Sequence, residues 1–104
     1  MKKDNYKTDV IFRVDTTKDF KGEVLAIFPH EVETFRGEVR IYVHVGQHSA
    51  ADYGVCLRTS RLATKKESAD LRKELRGLGY NINEIKKRNY DKYLKSYYEA
   101  KKIL

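Results

Sequence analysis

Apolar side chains stand at both parities along "GEVLAIF" (22–28), with Val24, Ala26 and Phe28 set against Leu25 and Ile27. Successive side chains of a strand point to opposite faces, so this stretch predicts a central strand covered on both sides. Few folds satisfy that in a chain of 104 residues: a sheet is needed, and enough other structure to cover it twice. Two neighbouring runs supply further strands. "DVIFRV" (9–14) is β-branched and aromatic, and "EVRIYVHV" (38–45) alternates, Val39, Ile41, Val43 and Val45 pointing one way and Glu38, Arg40, Tyr42 and His44 the other. Pro29 and "HEVETFRG" form the loop between the second and third strands. A fourth strand is predicted at "YGVCLRT" (53–59), and "QHSAAD" (47–52) is read as a corner in which Ser49 and Asp52 bond nearby backbone N–H groups.

Beyond residue 60 the apolar period lengthens. Thr64 and Glu67 have capping-box spacing, which predicts a helix over 65–78 with Leu71, Leu75 and Leu78 inward and Gly77 and Gly79 at its stop. Tyr80 and Ile82 alternate as a short strand does, although Asn81 and Glu84 also carry cap spacing. From Asn89, a second helix places Tyr90, Tyr93, Leu94, Tyr97, Ala100 and Leu104 in one stripe. The expectation is one domain over 1–104, of α+β class, in the order ββββαβα: a mostly antiparallel sheet of four to five strands with two helices.

The longest apolar run, Val24–Phe28, is far below the roughly 20 residues of a membrane span, and "MKKDNYKTDV" has no apolar signal core. A cytoplasmic protein with no membrane partner is expected. The single cysteine excludes an intrachain disulfide and a cysteine-based zinc finger within one chain.

Chemistry-bearing residues concentrate in "YVHVGQHSAADYGVC" (42–56). Together with "LRKELRGLGYNINEIKKR" (71–88), this stretch resembles a group of small bacterial, phage and mobile-element proteins with a HVGQHxxADY-like core. The resemblance implies a shared fold and a strand after Tyr80, and carries over no catalytic residue. On the residues alone, His44, His48 and Asp52 would just suffice for a metal if the corner folded back. Cys56 with a histidine base and Asp52 has the inventory of a nucleophilic site, as in a weak enzyme. Against both, a mid-strand thiol lacks the environment that makes a thiolate, and corner polar residues usually bond backbone. The reading is therefore no catalytic residue, no metal and no cofactor. A shallow ligand pocket of Tyr42, His44, His48, Asp52, Tyr53 and Cys56 is the alternative.

Charge points elsewhere. Residues 1–57 hold eight Lys/Arg against nine Asp/Glu, and residues 58–104 hold fourteen against six. On the helix from Lys65, Arg72 and Arg76 share its stripe, a like-charge arrangement that an external anion would relieve. Lys87 and Arg88 extend it. The expected function is a small non-catalytic binding module contacting DNA or RNA phosphates through Lys65, Arg72, Arg76, Lys87 and Arg88, with an adaptor for an acidic protein as the rival use of the same residues. Of the last helix's tyrosines, only Tyr98 is read as free to stack on a base.

Overall fold

The computed structural model describes residues 6–43 and 47–103. Along them run β1 (Thr8–Asp15), β2 (Val24–Val32), β3 (Val39–Val43), β4 (Gln47–Ala51), α1 (Tyr53–Thr59), β5 (Ser60–Leu62), α2 (Lys65–Gly77), β6 (Ile82–Glu84) and α3 (Tyr90–Ile103). The sheet has the order β4-β3-β2-β1-β5, antiparallel throughout this path, and the chain is of α+β class. Among the described residues no helix is long and apolar enough to cross a membrane.

β2 lies where its two-sided apolar run requires. Ala26 and Phe28 face α2 in one core with Val10, Phe12, Tyr42, Leu71 and Leu75. Ile27 faces the other way, into a second core with Ile11, Val39, Tyr53 and Cys56, against which Tyr93 of α3 packs. The sheet is thus a middle layer with α2 on one face and α1 and α3 on the other. β1 beside it is completed along one edge by two short strands: β5 pairs antiparallel with Arg13–Asp15, and β6 pairs parallel with Thr8–Val10.

The predicted capping box forms: Thr64 Oγ accepts from Glu67 N–H at 3.1 Å, and the Glu67 carboxylate accepts from Thr64 N–H at 2.9 Å. α2 then ends as expected, Gly79 taking φ 104° while its N–H reaches the Arg76 carbonyl. Leu78, however, is 56% exposed, because it sits on the cap and only Leu71 and Leu75 reach the core.

Three expectations are corrected. β2 does not stop at Pro29 but continues to Val32, with a register shift between Phe28 and Val32 that accommodates a residue lacking an N–H. The corner at 47–52 is largely strand: Gln47–Ala51 forms β4, with Ser49 opposite Ile41. The predicted fourth strand at 53–59 is the helix α1, so the helices number three among the described residues. Asp52 starts it by accepting the Val55 N–H at 3.0 Å. Tyr53 and Cys56, read as opposite faces of a strand, share the buried side of a helix because residues three apart do so.

Candidate nucleic-acid interface

The polar stretch around β4 divides between the two faces of the sheet. Tyr42 and His48 are cross-strand partners on the α2 side, their rings edge-on with centroids 4.7 Å apart. His48 Nε2 shares a hydrogen bond of 3.0 Å with the Tyr80 hydroxyl, and the Tyr42 hydroxyl donates to the Glu74 carboxylate. Tyr53 and Cys56 lie in the opposite core. Asp52 sits between the groups as the cap of α1, and His44 lies outside the described residues. The five described residues of the ligand-pocket alternative, Tyr42, His48, Asp52, Tyr53 and Cys56, therefore do not surround one space. Among the described residues no three His, Cys, Asp or Glu side chains are grouped to hold a metal ion.

Cys56 is buried, and burial pushes its thiol above the ordinary value, Asp52 adding to the effect and Arg13 opposing it. Arg13 is itself committed: its Nε donates to Ser60 Oγ at 2.6 Å and its Nη2 to the Ser60 carbonyl at 2.7 Å. A protonated thiol packed among Ile11, Ile27 and Val39 serves as a small apolar side chain. Asp52→Ala is expected to lower stability by about 0.5 to 2 kcal/mol through loss of a helix cap, while exposed His48→Ala changes it by less than about 0.5 kcal/mol. Thermal melts of the two variants decide; a larger loss for His48→Ala would overturn the assignment.

The five basic residues singled out from sequence also divide. Lys65 and Arg76 are exposed on α2, beside Lys66 and Lys73. Arg72, on the same helix, is held by the protein: its Nη2 donates to Ser68 Oγ at 2.8 Å and to Glu84 Oε1 at 2.7 Å, with the guanidinium 5.1 Å from the centre of the Phe12 ring. Lys87 is exposed between β6 and α3. Arg88 is half-buried on the other side of the sheet, its guanidinium 4.3, 5.6 and 3.9 Å from the ring centres of Tyr53, Tyr90 and Tyr93. Lys65 and Arg76 thus belong to one face of the molecule and Arg88 to the other. Nearby, Arg61 grips both oxygens of Glu67 at 2.9 and 2.6 Å, and that bond is the main reason the Glu67 carboxyl falls to about 2.

Two features escaped the sequence. His30 and Asp9 form a dyad, Nδ1 to Oδ2 at 2.9 Å, but His30 Nε2 accepts the Asn89 N–H at 2.8 Å. That acceptance leaves Nδ1 as the protonated nitrogen of a neutral ring, so the pair is a hydrogen bond rather than an ion pair, and no ring nitrogen is free to take a substrate proton. Asp9 also accepts from Asn83 Nδ2 and Lys92 Nζ, each at 2.8 Å. The network ties β1, β2 and β6 to the start of α3. Only the pairing of distant segments reveals it.

The other feature is the orientation of α3. Tyr90, expected inward, is 58% exposed, as is Tyr98 at 59%. Stacking candidates on this helix thus number more than Tyr98 alone. Comparison with protein-family models, curated proteins and solved structures finds no match for this chain.

Proposed function

We propose that the protein is a binding module for nucleic acid, DNA or RNA, held chiefly through phosphates, in a setting such as the mobile elements to which its sequence resemblance points. One observation carries the reading. Of the fourteen Lys/Arg from Arg58 onward, only Arg61, Arg72 and Lys92 form an ion pair among the described residues. A protein that used these charges for its own cohesion would pair them; all the unpaired ones but Arg88 are exposed, where they raise its self-repulsion and attract polyanions. Lys65 and Arg76 on α2 and Lys87 before α3 remain the phosphate-contacting candidates, now joined by Lys101 and Lys102 of α3. Arg72 and Arg88 support the reading less directly, since they hold Glu84 and the tyrosines in place.

Fluorescence anisotropy with mixed-sequence DNA and RNA across a salt series tests it. Affinity is expected to fall by at least about tenfold between 50 and 200 mM salt, the signature of counterion release from two or more phosphates. Lys65→Glu with Arg76→Glu, compared with Lys87→Glu with Lys101→Glu, shows which face makes the contacts. Absence of binding at 50 mM salt, or affinity indifferent to both pairs, would reject the proposal. In that case an acidic protein partner, captured after nuclease treatment, becomes the better reading of the same charges.

A further inference from the structure

We infer that α3 and the β2–β3 turn form a stacking platform for unpaired bases, so that the nucleic acid held is single-stranded; this rests on the phosphate-binding reading above. Bonds to β2 and the turn after it fix how α3 is docked. Three bonds from other elements set its rotation: Asn89 N–H to His30 Nε2 at 2.8 Å, Val32 N–H to Ser96 Oγ at 3.2 Å, and Tyr93 Oη to the Gly37 carbonyl at 3.1 Å. They turn Ser96 and Tyr93 toward the sheet. Tyr93, Leu94, Ser96 and Tyr97 are then half-buried, while Tyr90 and Tyr98 on the same helix stand 58% and 59% exposed.

The tyrosine rings of α3 form a connected series that runs between these two exposed ones. Tyr90 and Tyr93 have centroids 6.0 Å apart, Tyr93 and Tyr97 stack at 6.1 Å with 15° between planes, and Tyr97 meets Tyr98 at 5.6 Å. The β2–β3 turn extends the surface. Gly37, at φ 84°, lies so close to α3 that a Cβ there would collide with Tyr93 Oη, and two residues before it Phe35 is 61% exposed. Cations are interleaved: Lys101 Nζ lies 5.1 Å from the Tyr97 ring centre, Arg88 spans Tyr90 and Tyr93, and Arg36 is exposed on the turn. Exposed aromatic faces beside unpaired cations complement a strand whose bases offer flat faces and whose backbone offers phosphates. A duplex presents only the phosphates, its base faces being covered by their neighbours. The tyrosine hydroxyls keep such a surface compatible with water between encounters.

The test uses the full chain with a labelled oligothymidylate of about 15 nucleotides, within the range single-strand binding folds cover, and a duplex of the same length. The oligothymidylate is expected to bind more tightly. Tyr90→Ala and Tyr98→Ala should each weaken it by about tenfold, the effect of losing one stacked base, and leave duplex binding unchanged. Tyr90→Phe and Tyr98→Phe should restore it, since a phenyl ring stacks as well. Both side chains are exposed, so the variants test the surface rather than the core. Duplex bound as tightly as the single strand, or an alanine double variant that binds oligothymidylate normally, would overturn the platform while leaving phosphate binding intact. No binding of either at 50 mM salt would overturn both.

Discussion

Phe28→Ala is expected to lower the unfolding free energy by about 3 to 5 kcal/mol, the range for emptying a buried phenylalanine site. Phe28 is fully buried on the α2 side of the sheet, with the Tyr80 ring 5.2 Å away and Val10, Phe12, Leu71 and Leu75 in the same core. The size of the effect depends on how far neighbours can move into the void. Here they move little, because β2 is hydrogen-bonded on both sides and the adjoining Pro29 lies within the register shift against β3. Since domains of this kind have total stabilities of about 5 to 15 kcal/mol, the variant stands near the edge of folding. Urea denaturation measures it, with Phe28→Leu as the control expected to lose less than about 2 kcal/mol. A loss under about 1 kcal/mol for the alanine variant would show that α2 does not press on the sheet as described.

His30→Ala is expected to cost about 2 to 3 kcal/mol, one bond to a carboxylate and one to a backbone N–H being lost together. It is also expected to change the dependence of stability on pH. Burial lowers the His30 pKa from its ordinary value near 6.5; the Asp9 carboxylate opposes the shift, and the nearby Lys92 and Arg88 charges reinforce it. The unfolded chain therefore takes up this proton first as pH falls. The unfolded state then binds more protons than the folded one, so the His30 contribution is complete above about pH 6.5 and is lost as pH falls through the lower folded value. Asp9 acts in the same direction further down: burial works to raise it, but the bonds from Lys92, Asn83 and His30 together hold it below 3.8, so its contribution declines only under that pH. Urea titrations between pH 8 and 5 should show wild type losing stability with acid and His30→Ala losing less. Parallel curves would mean that His30 titrates alike in both states.

The parts of the fold legible in the sequence are those whose signal is local. β1 and β2 show as β-branched and aromatic runs, β3 shows its two-residue period, and α2 carries both caps within its own neighbourhood. The segment from 53 to 59 was misread because seven residues make about two turns, too few for Tyr53 and Cys56, which share a face only at helical spacing, to outweigh its β-branched and aromatic content. The ties of Arg72 were hidden for a different reason. Arg72 finds only the uncharged Ser68 on its own helix, and its acid, Glu84, comes from a strand twelve residues on. The stripe on α3 was visible, but its rotation was not, since that is set by His30, Val32 and Gly37 from β2 and the turn after it. His30 itself gave no signal, its partners lying twenty-one residues before it and fifty-nine after.

The shared edge of β1 has a bearing on how the chain is made. Thr8, Asp9 and Val10 wait for Ile82, Asn83 and Glu84, so one side of β1 stays open until β6 has been made. Translation delivers residues N-terminus first, at about 5 to 20 per second, which leaves that edge exposed for several seconds on each ribosome. Pairing so distant in sequence also places the β6 contact among the slower steps of folding. During this interval the nascent chain offers unpaired strand hydrogen bonds beside Val10 and Ile11, a combination that invites chaperones or a neighbouring nascent copy. Arrival of β6 ends the exposure, and with it closes the gap that β5 alone does not reach.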